Sequence, residues 1–363
     1  MTDKMVMTVC GPISPDELGV TLCHQHVILN ILNWFTEPKE TSKHWVIDAP
    51  VSMEHRGLLH MDPTISKDNL IIDDIEMCIK ELQELRMWGG QSIVDACPIG
   101  AGRDPVAQRN ISIGSGVNIV CASGWYVSTA HPPYIREKTE DELCDMIIEE
   151  LTEGCMGTDG IKAGIIKVGV GTNPKTPFTN DDEKKVLIAA CRAQVKTGRP
   201  FTVHPNIFDV YNSSKNLKER CHHIYLDIME NEGVDFDKFY FSHTDWFCTE
   251  IDLQKSVLDR GVGISYDGFG EEIHFLSLGY GLGHDDRERI TSLLQLLDAG
   301  YAEQIVLACE CVTKIQYKKY GGMGNSLLLE YIVPLLKKHY GISEKVIKTM
   351  LVDNPLRYLS FNG

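Results

Sequence analysis

The chain has 363 residues, 43% of them hydrophobic and 24% charged, the balance of a chain that folds around a core. Asp and Glu number 51 against 35 Lys and Arg, giving a formal charge of −16 that repels phosphate backbones and anionic lipid. Nucleic-acid and membrane partners are therefore not expected, and no apolar run approaches the roughly 18 residues of a membrane span.

In chain order, short β-rich runs alternate with longer amphipathic segments, the pattern of βα units on a parallel sheet. Strands are predicted at 19–26, 91–98, 117–126, 163–171, 199–205, 238–245, 261–270 and 304–311. Helices are predicted at 72–88, 139–155, 181–197, 217–232, 249–260, 285–300 and 325–340. Asn180 and Glu183 have capping-box spacing before the third of these, and Gly198 ends it. Eight strands in this length predict one α/β domain over 1–363, a (β/α)8 TIM barrel; a doubly wound sheet is the competing arrangement.

Two segments are longer than a barrel needs and follow strands 1 and 7. One is 27–70, with Trp34, Phe35, His44, Trp45, His55 and His60; the other is about 268–284, with Phe269, His274, Phe275 and Tyr280. Long loops at the C-terminal ends of strands are where barrels build sites. The 12 cysteines are scattered without a CxxC, so they read as reduced, buried thiols. The N-terminus MTDKMVMTVC lacks a leader pattern, and the expected location is cytoplasmic.

Chemistry concentrates at the predicted strand ends. His24 and His26 are two apart, so they share a strand face and can hold one divalent ion. His204 and His243 end strands 5 and 6, Lys167 interrupts the apolar IIKVGV, and Glu310 lies within VLACEC. Each has an ordinary reading: a paired core lysine, a satisfied histidine, a capped buried network. Together they are better explained by a shared metal centre, since isolated charges in buried strands are costly. The flanking Cys309 and Cys311 read as small wall residues, and His222-His223 as solvated.

TVCGPISPDELGVTLCHQH, VDACPIGAGRD, GIKAGIIKVGVGTNPKTPF, FTVHP, FSHTD and VDNPLRYL, in this order over nearly the whole chain, resemble the phosphotriesterase family of the amidohydrolase superfamily, and its phosphotriesterase-related branch most. The resemblance implies a (β/α)8 hydrolase with two divalent ions, zinc fitting best. His24, His26 and Glu310 would bind the buried ion, and His204 and His243 the exposed one. Lys167, carbamylated by carbon dioxide, would bridge them. A bridging hydroxide would cleave an ester, lactone or amide, with Glu310 accepting its proton and Asp245 relaying protons or orienting His243. Phosphotriesterase activity and a catalytically weak binding protein are the alternatives. Trp125, Tyr126, His131, Asp267 and Phe269 are candidates for the pocket of a small-molecule substrate, Asp95 lies beside it, and Arg103 and Asp104 read as structural. Members often form dimers, so a homodimer is the implied assembly.

Two departures stand out. Glu310 occupies a position where the family usually has Asp, and Gly268 follows Asp267 where the organophosphate enzymes have a histidine, which argues against organophosphates as the main substrates.

Overall fold

The eight β-rich runs each supply one short strand of a single parallel sheet. In the computed structural model, which describes residues 4–271, 274 and 284–362, these are β1 Thr21–Gln25, β2 Ser92–Asp95, β3 Asn118–Ser123, β4 Ile165–Gly169, β5 Phe201–His204, β6 Phe239–Phe241, β7 Gly263–Tyr266 and β8 Ile305–Leu307. Neighbours in the sheet are neighbours in sequence. The edge strands β1 and β8 meet at a seam held by a side chain. Gln25 Nε2 donates to the Cys309 carbonyl at 2.6 Å, and its Oε1 accepts from Cys311 N at 3.4 Å. The fold is a (β/α)8 barrel rather than a doubly wound sheet.

Seven main helices pack outside: α1 Ile75–Met87, α2 Pro105–Ser115, α3 Glu140–Thr152, α4 Asp181–Thr197, α5 Cys221–Glu232, α6 Ile251–Leu258 and α7 Asp286–Asp298. The predicted 325–340 helix is a π-turn, Leu328–Ile332, running into Val333–Lys338. α2 escaped the periodicity reading because its sequence PVAQRNISIGS is rich in weak helix formers. Its cap compensates: Asp104 accepts from the amides of Val106 and Ala107, and Gly116 closes the helix at φ 71°. α4 begins and ends as predicted, with Asn180 accepting from Glu183 N. The Glu183 side chain does not complete a capping box; it accepts from Ser128 N, Gly171 N and Thr179 N, tying the loops after β3 and β4 together. His222 and His223 are buried, not solvated: His222 packs edge-on against Phe241 and Phe247, and His223 bonds Ser256.

Alternation fills the barrel in layers. Cys23, Val94, Val120, Ile165, Tyr240 and Val306 form an apolar layer closed from below by Val6, Leu18, Tyr358 and Leu359. The chain termini seal that end, with Lys4–Thr8 pairing both Gly11–Ile13 and Phe361–Asn362. Two residues further along the strands, the same inward face carries Ala96, Lys167 and Ser242, and Glu310 follows four residues after Val306. The barrel therefore changes from apolar to polar toward its C-terminal mouth. All 12 cysteines are free, and 11 are buried. Among the described residues no helix is long and apolar enough to cross a membrane.

Candidate metal centre and its cavity

Strand alternation explains Lys167 and Glu310 but not two of the histidines. Cys23 belongs to the interior layer, so strict alternation would turn His24 outward. A register irregularity between Leu22 and Gln25 in the β1–β2 pairing breaks the alternation, and His24 lines the cavity beside His26. Ser242 already points inward, so His243 should likewise face away. Instead it adopts φ 56°, the one positive φ outside glycine among the described residues, and its ring swings into the mouth. Asp267, just after β7, offsets the strain by accepting from the His243 amide at 3.1 Å and pairing with its Nδ1 at 3.0 Å.

Asp267 also holds His24 Nδ1 at 2.9 Å. One buried carboxylate thus orients two imidazoles, leaving both Nε2 atoms facing inward, as carboxylates behind metal-binding histidines do. His26 is held by Cys97 Sγ at 2.9 Å from Nδ1, with Asp95 Oδ1 at 3.7 Å. Glu310 Oε1 lies 3.0 Å from His24 Nε2 and 2.7 Å from His26 Nε2. His204 completes the group, its ring centroid 4.5 Å from that of His243. Lys167 Nζ donates to Ser242 Oγ at 3.0 Å.

The electrostatics follow burial and crowding. Burial lowers the Lys167 ammonium to about 8, despite the opposing pull of Glu310 and Asp267. Burial and neighbouring His243 keep His204 well below the usual imidazole range. For Glu310, burial opposes ionisation but His243 and His24 outweigh it, so its carboxyl sits well below the usual range.

This donor set fits divalent metal. Ligand atoms of His24, His243 and Glu310 lie within 4.8 Å of one another. His204 Nε2 and His243 Nε2 are buried without hydrogen-bond partners, an expensive state for polar atoms that a cation would relieve. The six residues proposed as ligands come together around one space.

Above them opens a cavity. Trp34 from the long β1 loop lies against Phe208 at 5.9 Å and donates from Nε1 to the Tyr126 hydroxyl at 3.1 Å. Tyr126 in turn meets His204 edge-on at 5.5 Å. Of the residues proposed for the pocket, Tyr126 lines this cavity; four others sit elsewhere. Asp267 stands behind the histidines. Trp125 is buried, donating to the Tyr134 hydroxyl. His131 holds the Tyr126 carbonyl from outside, and Phe269 lines a neighbouring cavity that also touches Glu310. Asp245 is likewise corrected: it does not line the cavity, accepting instead from Gly268 N at 2.9 Å and Arg289 Nε at 3.0 Å. Its carboxyl is pushed up to about 6 by burial and by Asp267.

That ion pair explains Gly268. A Cβ there would stand 2.7 Å from Asp245 Oδ2 and 3.0 Å from Arg289 Nε, so the guanidinium fills the space a larger side chain would need. Arg103 pairs with Glu150, and Asp104 caps α2, both structural as expected. In the β1 loop, His44, His55 and His60 bond or stack away from the centre. Phe275 and Tyr280 lie outside the described residues. Sequence reasoning missed Glu271, which lines the cavity, is 4% exposed and leaves Oε2 without a partner. Its carboxyl is raised well above the usual range by burial and by Glu310. A glutamate in a loop carries no periodic signal that its side chain faces inward.

A (β/α)8 barrel with imidazoles, a lysine and a carboxylate gathered at its C-terminal mouth defines the class. The model of the Phosphotriesterase family matches residues 4–359, and the chain belongs to that family. A phosphotriesterase-related protein of Nematostella vectensis is 32% identical, the match covering 99% of this chain and 100% of that one. An N-acetyltaurine hydrolase of Salmo salar is 33% identical over 98% of both chains. Among solved structures, a resiniferatoxin-binding protein from Rhodobacter sphaeroides superposes with a TM-score of 0.89 at 31% identity, covering 98% of this chain and 94% of that one.

Proposed function

We propose that the protein is a metal-dependent hydrolase cleaving an ester, lactone or amide bond at a binuclear centre. The observation that carries this is the convergence of four imidazoles on Glu310 and Lys167, with His204 Nε2 and His243 Nε2 buried and unpartnered. His24, His26 and Glu310 would hold the inner ion, and His204 and His243 the outer. Nitrogen and oxygen donors of this kind suit zinc. When bound, the ions would supply Lewis acidity to the scissile carbonyl and to an attacking water.

Lys167 deepens the case. A free ammonium cannot ligate a cation, whereas its carbamate presents two anionic oxygens, and a lowered pKa leaves more of the neutral amine that reacts with carbon dioxide. In the reaction, water oxygen bonds to the carbonyl carbon while the C–O or C–N bond breaks. Glu310 would accept the water's proton and pass it to the leaving heteroatom. The Salmo salar relative, an N-acetyltaurine hydrolase by name, supports amide cleavage. A binding protein with weak turnover is the second reading, favoured by Glu310 in place of Asp and by the name of the Rhodobacter sphaeroides neighbour.

Purified protein grown with added zinc should contain close to two divalent ions per chain and hydrolyse members of a panel of lactones, aryl esters and N-acyl amides. Fewer than one ion per chain would refute the binuclear centre. Two ions with no turnover on any of the panel would favour the binding protein.

A further inference from the structure

Four unpartnered polar atoms belong to side chains lining the cavity: His204 Nε2, His243 Nε2, Glu271 Oε2 and Thr64 Oγ1. The imidazoles are absorbed by the metal centre. Glu271 and Thr64 come from the loops after β7 and β1 and belong to the wall. Both can accept hydrogen bonds, and the carboxylate is the stronger acceptor.

Among the described residues no cationic side chain bonds the Glu271 carboxylate, although Arg289 lies near enough to favour its charged form. The nearby Arg289 spends its N–H groups on Asp245, on Asp286 and on the backbone carbonyls of His284 and Glu271, not on the Glu271 carboxylate. Such a carboxyl is costly to ionise alone, and a cation in the cavity would offset that cost. Around it the wall is aromatic: Phe208, Trp34 and Tyr126 form a connected series, and Trp246 also lines the cavity. Aromatic faces beside a carboxylate are the chemistry that holds ammonium cations.

The same wall offers little to an anion. Among the described lining residues Lys167 is the one Lys or Arg, and it lies within the metal-ligand group. Residues 272–283, EIHFLSLGYGLG, add neither.

We propose that the substrate carries a protonated amine or quaternary ammonium, held by Glu271 and the aromatic wall while its acyl group reaches the histidine cluster. This rests on the hydrolase reading and narrows its substrate class. It also separates this chain from a hydrolase of N-acyl sulfonates, whose leaving group ends in an anion.

The test uses zinc-loaded wild-type protein and Glu271→Gln with acetyl esters and acetamides of three matched leaving groups. These are two-carbon alcohols or amines ending in trimethylammonium, in neutral tert-butyl or in sulfonate. In the wild type, kcat/KM should be at least tenfold higher for the ammonium compound than for its tert-butyl isostere, and lowest for the sulfonate. Glu271→Gln should erase most of that preference without loss of zinc. Equal preference in both proteins, or a sulfonate that is the best substrate, overturns the proposal. Loss of zinc from Glu271→Gln also overturns it, because Glu271 would then serve the ions. If none of the compounds is hydrolysed, the hydrolase reading fails separately. Calorimetric binding of the trimethylammonium and tert-butyl amides to both proteins then decides the ammonium site: a Glu271-dependent cation preference supports it, and none overturns it.

Discussion

The floor and the wall of the cavity are built on opposite principles. The floor is polar and rigidly referenced: His24 and His243 share the Asp267 carboxylate, His26 rests on Cys97, and Lys167 is bonded to Ser242. Each of these residues lies in a barrel strand or within two residues of its end. The wall is mostly apolar and comes from loops, with Trp34, Phe208 and Trp246 set by loop packing. The contrast assigns reaction type to the floor and substrate choice to the wall, the usual division of labour on a barrel.

The largest effect should come from removing a floor residue. Lys167→Ala should lower turnover by several orders of magnitude and reduce metal content, with partial recovery when short carboxylates such as formate are added. Wild-type rates in that variant would dismiss the bridging carbamate and, with it, the division just drawn. A smaller effect tests the support behind the floor. Gly268→His should force apart Asp245 and Arg289, costing about 1–3 kcal/mol as overpacking does. A lower melting temperature would show it; an unchanged one would mean that the buried pair yields freely. The smallest effect belongs to the wall. Trp34→Phe removes the bond to the Tyr126 hydroxyl, worth about 1 kcal/mol. KM should rise a few-fold with kcat and metal content unchanged; a fall in metal content would show that wall and floor are not separable.

Much of the floor was legible because its residues violate local expectation. A lysine inside IIKVGV, a glutamate inside VLACEC and histidines at strand ends are conspicuous against apolar strands. The wall was not legible by the same logic. Trp125, His131, Asp267 and Phe269 look like pocket residues from their proximity to strand ends, yet the first three bond neighbouring residues instead and Phe269 lines the adjacent cavity. Asp245 is similar: two residues past His243, it faces Arg289, which lies more than forty residues further along the chain.

By itself the sequence determined the barrel, the eight strand positions and the gathering of histidines, Lys167 and Glu310 near the strand ends, because alternation, helix periodicity and misplaced charge are local properties. Tertiary structure decided how those residues aim. The irregular register at His24 and the left-handed backbone at His243 both override strand alternation, and each persists because Asp267, distant in sequence, holds the ring it produces. The aim of Glu271 into the cavity is of the same kind, since only the packed loop sets it.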